Sequence, residues 1–196
     1  YLGLSGPRAI FNTAIAESLG AIEYAISFFL IDRWGRRRLG MIGYGGLVFS
    51  IVLMLIGINY LDANSITLAV AFVFAAMTLF LLFYHIGVGG VGWVLQGETL
   101  PTEFRGRGMG ILAAVDWIAN FIIIFLFPYW KASFGIFSFF VFELVLSIAG
   151  IVLISMFFPE TKGIPLEQMP SLFSRKFSEM RKPYKYDSDA DASDSK

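Results

Sequence analysis

Polar and ionisable side chains set inside apolar runs are the places where this sequence could do chemistry. His85, the single histidine, lies in LLFYHIGVGGVGWVLQ, Asp116 and Asn120 lie in LAAVDWIANF, and Glu17 and Glu23 interrupt the first apolar run. Stranding an ionisable group in hydrocarbon costs several kcal/mol, so each is a functional candidate by default. An Asp, Glu or His at depth can load a proton or attract a cation, and the Asn amide can both donate and accept. The competing account is a carboxyl satisfied inside a helix bundle. For Glu23 the two accounts balance. Glu17 stands six residues away, roughly 240° around a helix, and need not share its face. Glycines at 87, 89, 90 and 92 surround this place. Each costs roughly 1 kcal/mol against Ala, so the helix is expected to weaken or break there. In lipid a break is tolerated only where the freed backbone faces protein or a water-filled cavity.

A second group of residues sits in short charged turns: DRWGRRR at 32–38, ETLPTEFRGRG at 98–108 and PETKG at 159–163. Arginine forks pair carboxylates bidentately, and Glu98, Glu103 and Glu160 are their natural partners. Ion pairs that form and break as two halves of a bundle rock would make a gate. On spacing alone, static charge at helix ends is the stronger account.

The elements that must hold these groups are apolar and long. The sequence is 57% hydrophobic with 21 Phe, so most of its exterior suits lipid. No cysteine is present, which removes disulfides, thiol nucleophiles and Cys-ligated metals. HExxH, P-loop and GxSxG patterns are absent too, so neither an enzyme nor a cofactor is expected. Apolar runs at about 11–31, 41–60, 66–97, 108–128 and 136–158 are each long enough to cross a core of about 30 Å. The fourth is expected to end at Pro128, and the third, over-long, to tilt or break at its glycines. Gly40, Gly43, Gly45 and Gly46 permit close helix approach in the second. Thirteen of the fifteen Lys and Arg lie in the two basic turns and the tail. That asymmetry predicts a multi-pass protein with these turns and the C-terminus in the cytoplasm. Residues 1–10 are then expected to be an extracellular loop remnant, 11–158 a five-span bundle, and 159–196 a tail disordered from about 170. The basic runs abut spans, so orientation explains them and no nucleic-acid partner is expected.

Several motifs resemble one family. Asp32-Arg33-Trp34-Gly35-Arg36-Arg37 resembles the D/E-R-x-G-R-R signature of the major facilitator superfamily. Glu98-Thr-Leu-Pro101 with Arg105-Gly-Arg-Gly108 resembles the sequence that sugar porters carry after their tenth helix, and Pro159–Gly163 their PETKG after the twelfth. The spacing from Trp93 to Glu98 and the VDWIANF segment also fit. The match covers nearly residues 10 to 165. It implies an all-α membrane protein whose five transmembrane helices form most of the C-terminal six-helix bundle of a major facilitator fold. The other partner would be a missing N-terminal half, with a sugar or similar polar metabolite bound at mid-membrane between the halves.

Position by position, the resemblance places substrate contacts at His85, Gly89, Trp93, Asp116, Trp117 and Asn120. It also strengthens a cytoplasmic gate at Asp32, Arg33, Gly35, Arg36, Arg37, Glu98, Arg105 and Glu160, with Arg36, Arg37 and Arg105 pairing Glu98 and Glu160. The departures leave the substrate open. Gly90-Val91-Gly92-Trp93 replaces a proline-rich G-P-x-x-W, His85 stands where glucose carriers often have Glu, and Asp116 stands where Asn or Gln is usual. Gly20 replaces a sugar-contacting Asn found in some members. Asp116, His85 and Glu23 are therefore candidates for carrying a coupled proton. The alternatives are a carrier of organic cations or other metabolites, with Asp116 as counter-charge, or a non-transporting truncated membrane subunit. The expected location is the plasma membrane.

Overall fold

The computed structural model describes residues 6–62, 66–165 and 168–173, and all the regular elements among them are helical. Two long helices come first, α1 (Gly6–Trp34) and α2 (Arg36–Asp62), hinged at Gly35. The hinge backbone has φ +86°, a conformation that strains any residue with a Cβ. Next, α3 (Ile66–Phe83) runs through a π-helical segment, Tyr84–Gly89, into α4 (Gly90–Thr99). α5 (Arg105–Phe157) and a short α6 (Met169–Phe173) complete the described chain.

Where the third run was expected to tilt, weaken or break, it changes its turn. The glycines let the helix widen into a π turn and continue, so only the turn geometry changes. Single π turns of this kind are frequent at functional sites. The ending of the fourth run also differs from expectation. The helix passes through Pro128 and reverses at Gly135, whose φ of 78° and ψ of 163° are non-helical. Two arms, 105–134 and 136–157, therefore lie side by side. Phe127 and Phe139 would be about 18 Å apart along a straight helix, yet their ring centroids are 4.8 Å apart. Trp130 Nε1 donates to Ser138 Oγ across the same reversal at 2.9 Å. Neighbouring transmembrane turns keep Pro tolerable within a span, whereas only Gly accepts the backbone at 135.

Three helical stretches, 36–59, 68–99 and 105–157, are long and apolar enough to cross a membrane by length and composition. α2 is the packing post. Gly43, Gly46, Ser50 and Gly57 line one of its faces: Gly43 meets the Gly87 backbone, Gly46 the Phe83 ring, and Gly57 Phe72 and Val73. Gly45 points away from that face and meets nothing. Small residues at this spacing let helix backbones approach, which is how membrane helices gain contact without a hydrophobic drive. A compact core of Ile31, Leu39, Val91 and Leu95 lies near the charged end, flanked by Ile86 and Phe158. The outer faces, including Phe49, Phe121 and Ile124, are exposed and apolar, as a lipid-facing surface requires.

After Phe157 the chain packs back on the bundle, and Met169 and Leu172 of α6 are buried. The tail beyond 173, expected to be disordered from about 170, lies outside the described residues. The acidic run at 187–195, the loop at 63–65 and the side chain of Glu17 lie outside the described residues.

Candidate functional site

One face of α1 carries Gly20, Glu23, Tyr24 and Ser27, the i, i+3, i+4, i+7 pattern of a single helical stripe. This stripe meets the π segment. Glu23 Oε2 lies 2.6 Å from His85 Nδ1, both side chains largely buried. The Tyr24 ring packs against the imidazole at 4.7 Å, and Tyr84 meets it edge-on at 5.5 Å. Ser27 Oγ donates to the carbonyl of Ile86 at 2.7 Å, inside the widened turn. Such a bond satisfies backbone acceptors that a π turn leaves exposed in lipid. Glycine leaves room on both sides of the joint. A Cβ at Gly20 would stand 2.7 Å from His85 Cε1, and one at Gly89 would stand 2.9 Å from the Tyr24 hydroxyl.

One turn further along α4, Trp93 is 40% exposed and lines a cleft of about 280 Å³ with Tyr24, Ser27, Phe28, Ile31, Gly90 and Val94. An indole with a free face and an N–H beside a polar cluster can pack on the apolar side of a ring while donating to its hydroxyls. His85, Gly89 and Trp93 thus come together. Asp116, Trp117 and Asn120 do not join them: all three lie on the first arm of α5 and are exposed, Trp117 at 67%. Asp116 and Asn120 are four residues apart, so they share a helix face.

The charged motifs converge at one end of the bundle. Arg36 Nε donates to Glu98 Oε1 at 3.0 Å, and Arg36 also pairs with Asp32 at 3.2 Å. Thr161 Oγ donates to the other Glu98 oxygen at 2.6 Å. Glu160 accepts from the backbone N–H of Arg36 at 2.9 Å and of Lys162 at 3.2 Å. Its carboxylate lies against Gly35, where a Cβ would meet Oε2 at 2.5 Å. Lys162 Nζ reaches the carbonyl of Arg33 at 2.6 Å.

Two arginines behave differently from expectation. Arg37 donates to the Ser155 carbonyl at 2.7 Å rather than to a carboxylate. Arg105 donates to the carbonyls of Gly97 and Leu100, closing the end of α4. Helix ends leave carbonyls unpaired, and a nearby guanidinium donates to them. Sequence reasoning passed over Ser27 and Thr161 as participants. Ser27 was findable from its four-residue spacing to Glu23. The contact of Thr161 needed the fold, because it spans 63 residues of sequence.

Comparison with known proteins gives a consistent picture. Residues 2–173 match the family described as "Sugar (and other) transporter". The chain is 34% identical over 172 residues to the major myo-inositol transporter IolT of Bacillus subtilis (strain 168), covering 87% of this chain and 36% of that protein. It is 31% identical over 186 residues to solute carrier family 2, facilitated glucose transporter member 2, of Sus scrofa, covering 92% and 34%. Membrane transporter D1 of Leishmania donovani is 30% identical over 159 residues, covering 81% and 29%. The chain spans about a third of the length of these curated relatives. Among solved structures, the proton:xylose symporter XylE bound to 6-bromo-6-deoxy-D-glucose superposes with a TM-score of 0.74 at 24% identity, over 88% of this chain and 36% of that one.

Proposed function

The chain belongs to the sugar transporter family of the major facilitator superfamily, and from that membership we propose that it supplies one bundle of an alternating-access carrier for a sugar or similar polar metabolite. The observation that supports this most is the meeting of His85, Glu23, Tyr24 and Trp93 where α1 crosses the π turn beside an open cleft. It sets hydrogen-bonding groups and an indole face at a helix irregularity, the arrangement a midplane solute site uses.

In this proposal a second six-helix bundle faces the cleft, and the solute sits between the two. Trp93 packs on the apolar face of a pyranose or cyclitol, His85 meets a hydroxyl, and Gly89 leaves room for the ring. Asp116, Trp117 and Asn120 approach from the first arm of α5. Asp32, Arg33, Gly35, Arg36, Arg37, Glu98, Arg105 and Glu160 hold the cytoplasmic end, with the C-terminus on that side of the plasma membrane.

Asp116 is the proposed proton-coupling group, because an acid here replaces an amide and the residue is exposed. The test is uptake of radiolabelled D-glucose by transporter-null cells expressing the full-length parent protein. Wild-type uptake is expected to rise as external pH falls, by up to roughly tenfold per unit, the slope of one bound proton. Asp116→Asn is expected to flatten that profile. Absence of hexose uptake, with organic-cation uptake abolished by Asp116→Asn, would replace the sugar proposal by a cation carrier.

A further inference from the structure

Glu23, which the sequence offers only as a candidate proton carrier, makes the shortest side-chain contact to His85. We propose that Glu23 is a positioning residue that holds the proton on His85 Nδ1 and so presents Nε2 to the substrate. The proposal rests on the sugar-type carrier above and adds a specificity determinant to its site. Which nitrogen of an imidazole carries the proton is set by the hydrogen bond its other nitrogen makes. An ionised carboxylate only accepts. At 2.6 Å from Oε2 of an ionised Glu23, Nδ1 is in this proposal the donor. Nε2 has no hydrogen-bond partner among the described residues, which leaves it to meet a solute hydroxyl.

The surroundings fix the ring in that orientation. Tyr24 packs across one face at 4.7 Å and Tyr84 meets it edge-on. Gly20 removes the side chain that would collide with Cε1 at 2.7 Å. Glu23, Gly20 and His85 thus act as a set: the imidazole fills the space over Gly20, and the acid three residues on holds it there. A hydroxyl read by a buried, fixed nitrogen discriminates strongly against an analogue lacking it, because the nitrogen is then left unpaired.

The test uses the full-length protein in lipid nanodiscs, labelled with ¹⁵N-histidine. His85 signals are identified by their loss in His85→Gln. Wild type is expected to show a protonated Nδ1 in a strong hydrogen bond at neutral pH. Glu23→Gln should keep that signature, since its amide oxygen accepts, and Glu23→Met should lose it. Gly20→Ala, which leaves Glu23 in place, should displace the ring and lose it as well.

The second readout is competition of monodeoxy-D-glucoses against D-glucose uptake. One deoxy analogue is expected to bind about tenfold more weakly than glucose in wild type and Glu23→Gln. That difference should vanish in Glu23→Met. A wild-type proton residing on Nε2 alone would overturn the proposal, as would spectra and analogue selectivity unchanged by Glu23→Met. No glucose uptake at all, with the Nδ1 signature intact and sensitive to Glu23→Met, would remove the sugar substrate and uphold the positioning of His85.

Discussion

Glu98→Ala is expected to destabilise the protein by about 3–5 kcal/mol, the usual cost of removing one partner from a buried ion pair. Both Glu98 oxygens are engaged, one by Arg36 Nε and the other by the Thr161 hydroxyl. The Glu98 side chain is 11% exposed and that of Arg36 15%, so water cannot easily take the missing place. Removal would leave Arg36 paired only with the solvent-exposed Asp32 carboxylate, and Thr161, 1% exposed, without its acceptor. Melting of the detergent-solubilised protein, followed by loss of monodisperse material on size-exclusion chromatography, reads this directly. Glu103→Ala is the control. Glu103 is exposed, and an exposed charge contributes at most a fraction of a kcal/mol. Equal melting of the two variants would mean that the cluster does not hold this end of the bundle.

The geometry of that cluster also refines what a gate here can be. Arg36, Glu98, Glu160 and Thr161 join the α1–α2 hinge, the end of α4 and the segment after α5, all within one chain. Contacts internal to one bundle make it move as a unit. A rocking carrier needs such a unit, because rigid-body motion transmits an opening only if the helix ends do not fray. Arg37 and Arg105 serve the same end by closing helix carbonyls rather than by reaching acids.

Much of this was legible from residue types. The apolar runs gave the helices, and the separation of basic residues anticipated that the three charged motifs would meet at one end. His85, Gly89 and Trp93 fell on one short stretch, so their proximity followed from helix spacing. The pairing of His85 with Glu23 did not, because it joins residues 62 apart in sequence. Alone, each was an ionisable group in an apolar run with two balanced accounts. Only the crossing of α1 over the π turn made them partners. Gly135 outranked Pro128 as the reversal point for a similar reason. A proline's missing N–H can be absorbed within a packed span, whereas a positive φ has no other residue to serve it.

Gly43→Ala and Gly87→Ala are each expected to be strongly damaging, and their combination should cost less than the sum. A Cβ on Gly43 would lie 2.7 Å from Gly87 Cα, and one on Gly87 would overlap the Gly43 backbone. The obstructing atoms are backbone, so no rotamer change relieves them and α2 must move off the π turn. Overpacking of this kind costs typically 1–3 kcal/mol, and here it also disturbs the segment that carries His85. Once the first methyl has forced the helices apart, the second meets less resistance, hence the sub-additive double variant. Gly45→Ala, two residues from Gly43 on the same helix, should have the opposite sign. It meets nothing within 4 Å, so it gains helix propensity worth up to about 1 kcal/mol. Thermal melting of the four variants, with amide hydrogen exchange across 84–89, tests the set. Additive losses, or a Gly45→Ala as damaging as Gly43→Ala, would mean that general helix preference rather than the Gly43–Gly87 contact decides stability at this joint.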